Sequence, residues 1–113
     1  ERTAFGRPLT KFQNTQFKIV EMDTEIRLGR TFVDKLIVDH MEGVNVVVNV
    51  SMGKYWTSEM AMRVADQCVQ LHGGYGYCEE YPIARAWRDA RVLSIFAGTS
   101  EIMKGIAAKF MGL

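Results

Sequence analysis

The chain has few of the features that mark a membrane-spanning, metal-binding or nucleic-acid-binding protein. No apolar run approaches the roughly 20 residues that a membrane-spanning helix needs, so we predict no membrane span. The formal net charge is only +1, which provides no basic stripe to neutralise phosphates, so we predict no nucleic-acid partner. The two cysteines, Cys68 and Cys78, lack metal-ligand spacing and a second pair. They are interpreted as reduced structural thiols, and no metal site is predicted.

Helix breakers are also rare, since the only prolines are Pro8 and Pro82 and both stand at boundaries. Between Pro8 and Gly43, apolar residues recur at close to seven-residue steps among charged residues, which is typical of a long amphipathic helix. We predict helices over about residues 11–40, 45–71 and 82–91, and a fourth from Thr99 or Ser100 to about residue 110. The predicted fold is all-α: an up-down bundle of about four helices, two long and two short.

Three clusters of residues stand apart from this helical pattern. The N-terminal cluster, residues 2–13, has two arginines in a short turn, and guanidinium groups pair well with phosphate. The glycine loop, residues 70–77, has three glycines within four residues, which allow another backbone or a flat ligand to come close. The C-terminal cluster, residues 96–101, has two hydroxyl residues at a predicted helix N-terminus, which favours an anion. Taken singly, each cluster is more simply explained as a solvated turn, a helix C-cap or plain N-capping.

Together and in this order, the clusters resemble the C-terminal domain of the acyl-CoA dehydrogenase family across essentially the whole chain. A weaker cue, Gly53-Lys54-Tyr55-Trp56, is most similar to the long-chain or isovaleryl-like branch. We expect residues 1–113 to be the C-terminal helical domain of a longer three-domain flavoprotein. The residues that carry the resemblance are Arg2, Phe5 to Leu9, Phe12-Gln13, Ala65-Asp66-Gln67, Gln70 to Tyr77, Glu80-Tyr81-Pro82, Arg88 to Arg91 and Gly98 to Ile102.

The resemblance implies that the parent protein is a flavoenzyme. Members of the family use FAD to remove hydrogens from Cα and Cβ of an acyl-CoA thioester, in fatty-acid or branched-chain acid catabolism, and pass electrons to an electron-transfer flavoprotein. They are usually homotetramers and sometimes dimers. For this chain the resemblance implies FAD binding and oligomerisation, with no activity of the fragment alone. The implied location is the cytoplasm for a bacterial source and the mitochondrial matrix for a eukaryotic one.

The resemblance also implies roles for individual residues, and the first group contacts the FAD of a neighbouring subunit. Arg2 matches the arginine that reaches the pyrophosphate of that FAD. Phe5 matches the aromatic residue beside it, and Gln13 matches an amide that contacts the same cofactor. The chemistry of Arg2 agrees with this role, because a guanidinium group pairs with two phosphate oxygens at once.

The glycine loop and the C-terminal cluster complete the implied cofactor-binding set. Gln70 and Gly74 match loop positions where the neighbouring subunit's FAD lies against backbone, and Gly73 supports the turn. Thr99 and Glu101 match positions that contact the FAD of the same subunit at the start of the last helix. An amide, a glycine-built surface and a helix N-terminus are suitable groups for these contacts.

The sequence departs from the family pattern at Ala97. Many members place the catalytic glutamate directly before Gly-Thr-Ser, but the side chain of Ala97 has no ionisable group. Removing a proton from carbon needs a positioned base, so this chain contains no predicted catalytic residue. In the long-chain and isovaleryl-like branches the base comes from an earlier helix, which would lie before residue 1. The alternative is a parent protein that has lost dehydrogenation.

Two other functions remain open from the sequence. One is a structural helical module that associates without flavin. The other is an offshoot of the family, such as an acyl-CoA oxidase or a flavin monooxygenase. The residues upstream of this chain would separate these possibilities, because a glutamate on a helix that faces the flavin would supply the missing base.

Overall fold

The computed structural model describes residues 2–113, and α-helices dominate it. Over these residues, none of the helices combines the length and the apolar character needed to cross a bilayer. The predicted all-α architecture with two long and two short helices is confirmed, and the predicted bounds are correct to within two residues at every end of the four α-helices. The helices are α1 (Gln13–Met41), α2 (Val47–His72), α3 (Pro82–Arg91) and α4 (Ser100–Phe110).

A short β-hairpin, which the sequence pattern did not predict, precedes α1. Its strands, β1 (Thr3–Ala4) and β2 (Arg7–Pro8), pair antiparallel. The two turn residues, Phe5 and Gly6, have φ values of +52° and +80°. Positive φ at both central residues is typical of the type I′ turn, whose backbone twist matches that of the two strands of a hairpin. The N-terminal cluster is therefore a defined hairpin rather than a plain turn before a helix.

Helix α2 is the centre of the bundle, since it packs against α1, α3 and α4. Helices α1 and α2 approach closely at two glycines. A Cβ on Gly29 would lie 3.1 Å from Met60, and a Cβ on Gly53 would lie 3.0 Å from Leu36. Because packed interiors have little room to shift, these positions favour glycine, and the missing side chains let the two helix backbones come together.

The core of the chain is small for its length. The Cα radius of gyration of the chain is 17.4 Å, whereas a compact domain of this size has a value of about 13 Å. Over residues 2–113, no large side chain is less than 2% exposed. Many large apolar side chains instead lie exposed on the surface of the helices. Those on α1 are Phe17, Ile19, Val20, Ile26, Leu28, Ile37, Val38 and Met41.

Candidate functional site

The structure brings the N-terminal cluster and the glycine loop together at the C-terminal end of α2. Nη1 of Arg2 donates a hydrogen bond of 2.9 Å to the carbonyl oxygen of Leu71. The guanidinium group also lies against Gly73, where a Cβ atom would come within 2.7 Å of Nη1. One side chain therefore fastens the hairpin to a loop 69 residues further along the chain.

Gly73 ends α2 in a conformation that other residues rarely adopt. Its φ and ψ are +65° and −145°, a region essentially restricted to glycine. Its N–H donates to the carbonyl oxygen of Gln70. Before it, Nδ1 of His72 lies 2.7 Å from the carbonyl oxygen of Cys68. Because a carbonyl oxygen only accepts, Nδ1 carries the hydrogen, and His72 is a hydrogen-bonded residue of the helix end.

The other residues implicated in these two clusters lie on the outside of the chain. Phe5, at the hairpin tip, is 97% exposed. Gln13 is the first residue of α1, Gln70 is on the last turn of α2, and both are exposed. Gly74 is also exposed, and a Cβ atom there would meet nothing within 4 Å. These groups are therefore accessible to a ligand or to another chain.

A groove of about 540 Å³ lies between the hairpin and the glycine loop, beside the bond that joins them. Its walls combine a guanidinium group, aliphatic side chains and aromatic rings. Two of these rings, Tyr75 and Tyr81, are 5.3 Å apart between centroids. Such a mixture suits a ligand that has both a flat surface and a negative charge. The lining residues include Arg2, Leu9, Thr15, Leu71, His72, Tyr75 and Tyr81.

The C-terminal cluster forms the N-terminus of α4. Thr99 is the N-cap residue, and its Oγ1 accepts a hydrogen bond of 3.2 Å from the N–H of Ile102. Glu101 is exposed in the first turn. Ser100 is 5% exposed, and its Oγ has no hydrogen-bond partner within residues 2–113. Buried polar atoms are normally hydrogen-bonded, so Ser100, one of the two hydroxyl residues of this cluster, is a candidate ligand contact to which the resemblance gave no individual role.

The loop before α4 is held by Lys54 of α2, whose contact was missed. Ala97 is exposed and has a φ of +54°, which is uncommon for a residue with a side chain. Next to it, Nζ of Lys54 donates to the carbonyl oxygens of Leu93, Phe96 and Gly98 at 2.7, 2.9 and 2.6 Å. No sequence motif could indicate this contact, because all three acceptors are backbone atoms.

The two groups of predicted site residues are not brought into one site. Arg2 contacts α2 at Leu71, whereas the backbone just before Thr99 contacts α2 at Lys54. The start of α4 lines a groove with Glu59 to Asp66 of α2, and none of its lining residues belongs to the groove beside Arg2. The first group surrounds the end of α2 and the second surrounds the start of α4. The chain therefore has two separate candidate ligand contacts.

Of the two cysteines, Cys68 has an environment that makes its thiol unreactive. Cys68 is half-buried on α2, with its Sγ 3.8 Å from Sδ of Met22. Burial raises the pKa of the Cys68 thiol, and a protonated thiol is a poor nucleophile. Cys78 is an exposed free thiol. Across residues 2–113, no three His, Cys, Asp or Glu side chains are grouped closely enough to hold a metal ion.

Comparison with known proteins identifies the family. The family model described as acyl-CoA dehydrogenase, C-terminal domain, matches residues 1–112. The chain belongs to the acyl-CoA dehydrogenase family. This acyl-CoA dehydrogenase domain is 48% identical over 109 residues to the mitochondrial long-chain specific acyl-CoA dehydrogenase of Rattus norvegicus. That match covers 96% of the domain and 25% of the rat protein.

Solved structures agree with the family and the fold. An acyl-CoA dehydrogenase from Geobacillus kaustophilus matches with a TM-score of 0.97 and 57% identity, over 100% of the domain and 30% of that chain. The FAD complex of PigA matches with a TM-score of 0.91 and 27% identity, over 99% of the domain and 29% of that chain. The domain thus spans between a quarter and a third of the length of these relatives. The predicted family and all-helical fold are confirmed.

Proposed function

We propose that this domain is part of an FAD-dependent acyl-CoA dehydrogenase, in which it contacts two FAD molecules and joins subunits. The observation that carries the proposal is the position of the Arg2 guanidinium group beside the accessible backbone of the glycine loop. The grooves beside Arg2 and beside the start of α4 share no lining residue, which supports contacts to two different cofactors. One would be bound by the same subunit and the other by a neighbouring subunit.

The chemistry of the Arg2 region fits a dinucleotide. A guanidinium group has five N–H donors, and one of those of Arg2 is given to Leu71. That bond fixes the side chain and leaves other donors for the pyrophosphate. Gly74 adds backbone that a flat group can approach, because no atom of the chain occupies the space where its Cβ would be. Phe5, Gln13 and Gln70 are exposed as well, so an aromatic ring and two amides are also open to a ligand.

The start of α4 fits a second contact of the same kind. The N–H groups of the first helical turn and the helix dipole favour negatively charged or hydrogen-bonding ligands. The Ser100 hydroxyl is buried there without a partner in the described chain, which a cofactor atom or a water would satisfy. Thr99 and Glu101 would contact the cofactor from the same turn. Thr99 already supports that turn through its bond to Ile102.

In this proposal the domain binds and orients, and it does not abstract protons. FAD, when bound, would supply the acceptor for the hydride lost from Cβ of the acyl-CoA substrate and the link for electrons to an electron-transfer flavoprotein. The α-proton needs a base, which Ala97 cannot supply, so we assign this role to a glutamate before residue 1. We place the parent protein in the mitochondrial matrix for a eukaryotic source and in the cytoplasm for a bacterial one.

The substitution Arg2→Ala in the full-length protein tests the proposed FAD contact. We expect the dissociation constant of FAD to rise about 10-fold or more, because a charge-assisted hydrogen bond contributes about 1.5–3 kcal/mol. Flavin retained after gel filtration and dilution is the measurement. The far-ultraviolet circular dichroism should stay unchanged, since Arg2 lies outside the helices.

Arg7→Ala is the matched control for this test. It removes an equal charge from the same hairpin, but the Arg7 guanidinium group lies over the Phe12 ring, 4.4 Å from its centroid. We expect a smaller loss of flavin than with Arg2→Ala. Unchanged flavin occupancy in Arg2→Ala would refute the assignment. A parent protein that never carries flavin would favour a structural association module instead.

Subunit association is a separate prediction of the proposal. The isolated domain buries alanines but no large side chain fully within its described residues, so its apolar surface should be covered by other domains and subunits. We expect the isolated chain to be helical and to form dimers or larger species at micromolar concentration. Light scattering with a dye-binding assay measures this. A monomer that binds little dye would contradict the proposed role in oligomerisation.

A further inference from the structure

The segment that links α3 to α4 has a backbone shape that its own side chains do not explain. Ala97 and the next residue, Gly98, have φ values of +54° and +106°. The two apolar residues before them, Ile95 and Phe96, are each 51% exposed. Because each of these side chains is only about half buried, burial of apolar surface alone does not fix the shape of residues 95–98. Some other interaction must hold this strained stretch in place.

Backbone hydrogen bonds hold the segment at its two ends. At one end, the carbonyl oxygen of Val92 accepts from the N–H groups of Ile95 and Phe96 at 2.9 and 3.0 Å. At the other end, the carbonyl oxygen of Thr99 accepts from the N–H of Met103 at 2.9 Å. Between these points the carbonyl groups turn inward, towards α2, and meet the side chain of Lys54.

The site that Lys54 occupies suits the ammonium group of lysine better than the polar group of any other side chain. An ammonium group has three N–H donors and no acceptor, and it faces three carbonyl oxygens, those of Leu93, Phe96 and Gly98, at 2.6–2.9 Å. Three carbonyl dipoles that converge on one point repel one another unless a positive charge lies between them. Hydrogen bonds to charged groups are also the stronger class.

We infer that Lys54 is a positioning residue that holds residues 93–98 and thereby sets where the N-terminus of α4 meets FAD. Gly98 directly precedes the N-cap Thr99, so a shift of its carbonyl group moves the first turn of α4, including Ser100. The same contact fixes Ala97, the position that carries the base in many members of the family. This inference rests on the proposed function, because it assumes that the start of α4 contacts the cofactor.

The test replaces Lys54 by Met in the full-length flavoprotein. Lys54→Met keeps the length of the side chain and removes all three donors. We expect the amide hydrogens of Ile102 and Met103, which are bonded to Thr99, to exchange about 10- to 100-fold faster. Amides in α1 should exchange as before. The dissociation rate of FAD should rise by a similar factor, measured by the recovery of flavin fluorescence after dilution.

Two further variants separate positioning from a general loss of stability. Lys104→Met removes a nearby positive charge, since Nζ of Lys104 lies 4.9 Å from the ring centroid of Tyr55, the residue after Lys54. It should change neither exchange at Met103 nor flavin release. Lys54→Arg keeps the charge and several donors and should recover part of the wild-type behaviour in both measurements.

The outcomes distinguish this inference from the proposed function. Unchanged exchange at Ile102 and Met103 in Lys54→Met would overturn the positioning role. Faster exchange throughout the protein, in α1 as well as in α4, would also overturn it, because Lys54 would then stabilise the whole fold. Local acceleration at α4 with no effect on flavin release would support the positioning of the segment and contradict its contact with FAD, which belongs to the proposed function.

Discussion

Removing the glutamate expected upstream of this chain should abolish turnover by the full-length protein, and adding Ala97→Glu should restore part of it. General bases contribute about 10²–10⁴-fold to such reactions, so we expect the first change to lower kcat by at least this factor. In the family both positions address the α-carbon of the substrate. Partial rescue is expected because a base depends on close placement and a suitable pKa. Steady-state kinetics with acyl-CoA measures both changes.

The structure makes position 97 suitable for this experiment. Ala97 is exposed and already has a Cβ atom at positive φ, so a longer side chain adds little backbone strain. Lys54 fixes the carbonyl groups on both sides of it. The control is Ala97→Gln in the same background, which has the same shape and cannot act as a base. Turnover that survives loss of the upstream glutamate would contradict the model, and so would equal rescue by Gln.

The helices could be predicted from the sequence because their signals are local. Pro82 at the first position of α3 and Thr99 as the N-cap of α4 set those boundaries in the predicted places. The hairpin could not be predicted, because each strand has only two residues. Its turn also needs Phe5 at positive φ, and phenylalanine gives no sign of that conformation.

The candidate site was predictable only in part. The residue types of its clusters indicated phosphate and close backbone contact, but the role of each residue came from the resemblance to a family. The bond from Arg2 to Leu71 and the three bonds of Lys54 join distant residues to backbone oxygens. Such contacts depend on how the helices pack. A backbone oxygen can accept these bonds whatever side chain its residue carries, so the sequence near the acceptors gives no sign of them. That is why the role of Lys54 was missed.

The second prediction with a large effect concerns the glycine loop. Substitution of Gly76 by alanine should destabilise the protein, whereas the same substitution at Gly74 should not. Gly76 is buried, and a Cβ atom there would lie 2.6 Å from the backbone oxygen of Val69 and 3.0 Å from Cβ of His72. Because helix backbone moves less easily than a side chain, Gly76→Ala should lower the free energy of unfolding by about 2–3 kcal/mol. Thermal unfolding of the full-length apoprotein should show a midpoint several degrees lower.

Gly74→Ala is the matched variant, because the chain itself has nothing within 4 Å of the new Cβ atom. We expect the unfolding midpoint of the apoprotein to stay unchanged, since an exposed substitution of this kind changes stability by about 0.5 kcal/mol at most. Flavin retention should fall, because the added methyl group occupies space that a neighbouring subunit's FAD would use. Full retention of flavin in Gly74→Ala would place the cofactor away from this backbone. An unchanged midpoint in Gly76→Ala would contradict the packing of the loop against the end of α2.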